Sequence, residues 1–160
     1  MTIRNSVQVA FDRFCAEMGM EKHSGSWYSP GQEVRAVLNL QRSQYAPKYY
    51  INIGFCLGTT ANLRYPREVD CEIRDRLDGV LPDLREELKD LLDLRTDIDD
   101  APRIGRLTDI LTSYLRPLLE DASTLNGLRA LNAKGVFRWA GIRPPATTLL
   151  QEQRPQSPGS

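Results

Sequence analysis

The chain has 160 residues, enough for one domain with a sizeable core, and its 41% hydrophobic and 26% charged content is ordinary for a globular protein. Lys+Arg and Asp+Glu both number 21, so the formal net charge is zero and the basic surplus of a dedicated nucleic-acid binder is missing. No run approaches the ~20 apolar residues that span a bilayer, and Arg4, Asp12 and Arg13 interrupt any secretory hydrophobic stretch, so the expected compartment is the cytoplasm.

Three cysteines, Cys15, Cys56 and Cys71, lie far apart with no CxxC pair, and His23 is the only histidine. Such a set completes no familiar zinc site, so free buried thiols are expected, with no metal and no cofactor.

Along the chain, Val7, Ala10, Phe11, Phe14, Cys15 and Met18 recur at three and four residues, the stripe of an amphipathic helix that Gly19 ends. Its expected task is to lay Phe11 and Phe14 on a sheet. Met20 to Pro30 reads as loop and a short first strand carrying Trp27 and Tyr28. His23, the one imidazole of the sequence, is a candidate acid or base, although its polar loop supplies no partner.

Val34 to Leu57 is the most strand-like stretch. Val34, Ala36, Leu38 and Leu40 share one face of the first run; Tyr49, Ile51, Ile53 and Phe55 share one face of the second. The short turn between them, with Ala46 and Pro47, predicts an antiparallel hairpin. Beyond it, Val69, Cys71 and Ile73 alternate with Asp70, Glu72 and Arg74, predicting another strand closed by a turn at Arg76 to Gly79.

From Pro82 the period becomes helical, with Leu84, Leu88, Leu91 and Leu92 on one side. The acidic cluster Asp93, Asp97, Asp99 and Asp100 lacks the glycine and terminal glutamate of a calcium loop and reads as a connection. Pro102 opens a longer helix bearing Leu107, Ile110, Leu111, Leu115 and Leu118, which Pro117 is expected to kink or interrupt. Ser123 is placed as the N-cap of a short helix ended by Gly135. Val136 to Pro145 fits a strand or a helical turn equally; within it, Trp139 is expected to dock on the core, the alternative being a contact patch with Arg138 and Arg143.

Together these elements predict an α+β fold: an antiparallel sheet of three to four strands with the N-terminal helix and the C-terminal helices packed on one face. Residues 1–143 form the expected single domain, and 144–160 a mostly disordered tail rich in Gln, Pro, Ser and Gly.

Phosphate loops, dinucleotide fingerprints, nucleophile elbows and zinc-protease helices are all absent from the sequence. The candidate site is instead a surface. Asn39, Gln41, Asn52 and Gly54 lie opposite the hairpin's apolar face, and Arg74 and Arg76 join them if the next strand pairs alongside. A glycine there allows another backbone to approach. The competing reading is that the amides merely pair with one another.

The order of an N-terminal helix, Gly19 to Lys22, the Trp27-Tyr28 strand, Asn39-Leu40-Gln41, Ile51-Asn52-Ile53-Gly54 and the run from Asp70 to Leu77 resembles the bacterial domain-of-unknown-function family 4304. The likeness covers about Phe11 to Leu119, and it implies an α+β fold with no catalytic residues to carry over. The expected function is a small cytoplasmic protein-interaction or accessory module that binds, and in doing so neutralises, another protein. One alternative is a hydrolase using acids and arginines on the polar sheet face; the other is a weak nucleic-acid binder.

Overall fold

A computed structural model describes residues 3–30 and 33–151. The first helix, α1 (Ser6–Glu17), starts where Asn5 and Gln8 exchange bonds: the Asn5 side chain accepts from the Gln8 N–H and the Gln8 side chain from the Asn5 N–H, each at 3.0 Å. This reciprocal cap satisfies two donors that the first turn leaves unpaired. At the other end Gly19 takes φ 73°, which a residue without Cβ adopts at little cost.

Six strands follow as a single antiparallel meander: β1 (Glu21–His23), β2 (Ser26–Tyr28), β3 (Val34–Arg42), β4 (Tyr49–Leu57), β5 (Ile73–Arg76) and β6 (Gly141–Ile142). The expected three to four strands is therefore an undercount. β1, β2 and β6 span only two or three residues each, too few for period-two alternation to register in the sequence. The central hairpin pairs Val34 with Leu57 through to Arg42 with Tyr49.

Val34, Ala36, Leu38, Ile51, Ile53, Phe55 and Ile73 face a layer of helices and are almost wholly buried. That layer comprises α1, the short α2 (Leu77–Val80), α3 (Arg85–Leu92), α4 (Asp100–Ile110), α5 (Arg116–Asp121), α6 (Leu125–Ala133) and α7 (Pro144–Gln151). α4 and α5 join through a π-helical turn at Leu111–Leu115, where the Arg116 N–H reaches back to the Leu111 carbonyl. Pro117 thus falls in the first turn of α5, where its missing donor costs least.

Arg103 is the unforeseen member of the core. It is 2% exposed, and its Nη1 donates to the carbonyls of Asp90 (3.1 Å), Leu91 (2.6 Å) and Asp93 (3.0 Å). Nη2 donates to the carbonyls of Thr96 (2.9 Å) and Ile98 (3.4 Å). The guanidinium thereby closes the C-terminal end of α3, where a helix presents unpaired carbonyls and partial negative charge, and organises the acidic connection that follows.

Four further expectations are corrected. Val69 belongs to a 3₁₀ turn over Glu68–Asp70 and is 41% exposed, so β5 starts only at Ile73. Trp139 is 65% exposed; Phe137 enters the core in its place, edge-on to Phe55 with ring centroids 5.8 Å apart. The N-cap of α6 is Thr124, whose side chain accepts from the Gly127 N–H, not Ser123. The packed chain also extends past Arg143, because α7 buries Ala146 and Leu150; the remainder of the expected tail, 152–160, lies outside the described residues.

The cysteines divide. Cys15 is a free thiol buried among apolar residues, which with the nearby Asp12 carboxylate pushes its pKa upward. Cys56 and Cys71, expected as free thiols, are joined by a disulfide with Cα atoms 4.5 Å apart. Strand pairing had hidden this: Cys56 points away from the helices, and only the return of the Gly58-to-Glu72 loop over that face brings Cys71 onto it.

Candidate functional site

The sheet's second face is treated differently at its two ends. Over one end the chain roofs itself, as Tyr28, Val37, Cys56, Ala61 and Cys71 form a small second core, with Tyr65 packed against it. Glu72 pins this roof by accepting from the Leu57 N–H at 2.9 Å and from the Thr60 hydroxyl. Arg35 adds a bond from Nη1 to the Leu63 carbonyl at 2.6 Å.

Gly54 lies under the roof. A Cβ built there would stand 2.8 Å from Cys71 Sγ and 3.2 Å from the Glu68 carbonyl oxygen. The backbone it admits is that of this same chain, so Gly54 is not part of an open ligand surface, contrary to the expected role. The close approach itself is what the glycine signalled.

The other end is open. Strand register sets His23, Ser26, Asn39, Asn52 and Arg76 side by side across five strands, a row of about 19 Å at the usual strand spacing. Gln41 and Tyr50 form the next pair along β3 and β4. Five of the six sequence-predicted residues, Asn39, Gln41, Asn52, Arg74 and Arg76, therefore gather in one shallow trough. It holds two adjoining depressions of about 520 and 500 Å³ that share Gln41, Asn52, Glu68 and Val69. The 3₁₀ turn Glu68–Asp70 makes one wall. At the far corner His23 stacks on Tyr65 with centroids 3.6 Å apart, a pair that only the return of the loop creates.

Within the trough the amides satisfy one another in part. Asn52 Nδ2 donates to Gln41 Oε1 at 2.9 Å and to Asn39 Oδ1 at 3.4 Å. Asn39 Nδ2 donates in turn to Ser26 Oγ at 3.4 Å. Two cations on the wall are also engaged: Arg67 with Asp70 at 2.8 Å, and Arg74 with Glu68 at 3.3 Å. Arg67 holds the Asp70 carboxyl below the usual carboxylate range.

Arg76 differs. No carboxylate among the described residues lies within ion-pair reach of it; its guanidinium sits 3.9 Å from the ring centroid of Tyr50, with Lys48 Nζ 5.6 Å from the same ring. A ring face braces a guanidinium while leaving its N–H donors available.

Asp75 is among the residues lining the depression of about 500 Å³ but pairs in register with Ile53, on the helix side of the sheet. Burial pushes its pKa up; Oδ1 accepts from the Arg76 N–H at 2.7 Å, and Oδ2 is buried without a partner. A separate apolar hollow of about 520 Å³ lies between Met18, Met20, Val34 and Leu119.

No group of three or more His, Cys, Asp or Glu side chains is placed to hold a metal ion among the described residues, and no helix there is long and apolar enough to cross a membrane. A comparison with curated proteins finds no match, nor does one with solved structures. The profile of the domain of unknown function (DUF4304) matches residues 13–121, from within α1 through every trough residue but Gly141 to the end of α5, and the chain belongs to that family.

Proposed function

We propose that this protein is an interaction or accessory module that binds, and so neutralises, another protein through the open half of its second sheet face. The supporting observation is the contrast between the two ends of that face. One is sealed by the chain's own loop and a disulfide, while the other leaves Asn39, Gln41, Tyr50, Asn52 and Arg76 open across three strands, about 10 Å. Aromatic and arginine side chains at the middle of a polar surface are what partner proteins most often engage.

The hydrolase alternative draws on Asp75, the acid whose pKa burial raises. Its side chain stands on the helix side of the sheet, with Oδ1 held by the Arg76 N–H and Oδ2 buried, which leaves it poorly aimed at anything lying in the trough. The nucleic-acid alternative needs several unpaired cations along a groove, whereas Arg67 and Arg74 are already paired. The cytoplasmic setting remains part of this proposal, although the Cys56–Cys71 bond weighs against a reducing compartment.

The test compares affinity capture from native cells by the wild type and by Asn52→Ala/Arg74→Ala. A protein held stoichiometrically by the first and lost from the second is expected. Undiminished capture by the double variant removes this face from the interaction.

A further inference from the structure

Two donor groups in the trough have no acceptor among the described residues. Gln41 Oε1 accepts from Asn52, which turns the Gln41 NH₂ group outward, and no acceptor for it lies among the described residues. Arg76 is fixed over Tyr50 without a carboxylate partner. Both line the same depression of about 500 Å³, on either side of Asn52. A planar guanidinium and an amide NH₂ lining one opening are both donors of the kind a carboxylate accepts.

We propose that the Arg76–Gln41 end of the trough is a carboxylate subsite, taking a glutamate or aspartate side chain of an extended acidic segment in the partner protein. The inference rests on the interaction reading above and specifies its chemistry. Charge complementarity selects the occupant. The two wall arginines are neutralised in place by Glu68 and Asp70, leaving Arg76, with Lys48 behind Tyr50, as the charge on offer. One such site suits a single carboxylate presented by a peptide better than a polyphosphate backbone, which gains affinity by occupying many cations at once. The row from His23 to Arg76 gives the flanking peptide a floor of small polar side chains.

The experiment uses the full chain at low ionic strength and fluorescence anisotropy with a labelled nonapeptide of alternating Glu and Ser. Its Gln-for-Glu twin and a labelled single-stranded oligonucleotide of nine nucleotides serve as comparisons. The acidic peptide is expected to bind about tenfold or more tightly than the twin, because a hydrogen-bonded charge pair is worth at least that factor. Arg76→Gln should cost the same factor, Arg76→Lys should recover part of it, and Arg13→Gln, an exposed cation on α1, should leave binding within twofold. Far-UV circular dichroism confirms that each variant is folded. Equal binding of the two peptides, no binding of either, no effect of Arg76→Gln, or tighter binding of the oligonucleotide overturns the proposal. If Asn52→Ala/Arg74→Ala loses its partner while the peptides show no charge preference, the subsite falls and the interaction reading stands. If capture survives that double change, the interaction reading itself has failed.

Discussion

Replacing Arg103 tests how the helical layer is held together. The side chain is 2% exposed and serves five carbonyls, three of them from the two hydrogens of Nη1, so at least one bond is shared. A hydrogen bond to a charged group contributes roughly 1.5–3 kcal/mol, and an acceptor left buried and unpaired costs about 1–3 kcal/mol. Five such terms do not add: the bonds share one cation, and water can reach the carbonyls nearer the surface. Arg103→Ala should therefore destabilise by about 4 kcal/mol, Arg103→Met by about 3 kcal/mol because it keeps the stem's packing, and Arg103→Lys by about 2 kcal/mol because an ammonium satisfies only some of the carbonyls. Urea unfolding followed by circular dichroism gives these values from the midpoint, provided the slope is unchanged. A loss below about 1 kcal/mol for Arg103→Ala, or a lysine variant no better than methionine, would mean that the carbonyls find other partners and that Arg103 is no keystone.

Two further outcomes follow from close contacts elsewhere. Gly54→Ala forces a methyl against Cys71 and the Glu68 carbonyl, so it should cost about 1–3 kcal/mol as an overpacked site and raise the wall of the trough; a thermal midpoint equal to wild type would refute the close approach. The Asp93 carboxyl is held down to about 2, chiefly by its hydrogen bonds with the Arg95 side chain. A depressed carboxylate contributes stability that is complete above its unfolded-state pKa of about 4 and is lost as pH falls through the folded value. Acid titration of stability should therefore show a smaller loss between about pH 4 and pH 2 in Asp93→Asn than in wild type; identical acid profiles would remove Asp93 from the account.

The hairpin and the leucine-bearing helices were legible in the sequence because each carries its period over eight or more residues. Asn39, Gln41 and Asn52 could be placed together for the same reason, since alternation assigns a side to every residue of a long strand, whereas Arg74 and Arg76 join them only through the pairing of the four-residue β5 with β4. What lay beyond reach was long-range return. The loop after β4 folds back on the sheet, and only then do Cys71 meet Cys56, Tyr65 meet His23, and Gly54 acquire a roof. Val69 and Cys71 mimicked a strand because their alternation is local, while the 3₁₀ turn that replaces it is set by that return. Arg103 did leave a trace: it falls four residues before Leu107 and seven before Ile110, a charge within an apolar stripe, at the position where a buried cation with carbonyl partners was there to be read.

The order of the sheet has one more effect. Because each strand lies beside its neighbour in sequence, the outermost positions go to β1 and β6, of three and two residues. Borders that short give a foreign strand almost no ladder to extend at the outermost strands, a guard against edge-to-edge aggregation there. What those two borders leave for another molecule is chiefly the pattern of side chains standing on the sheet's surface.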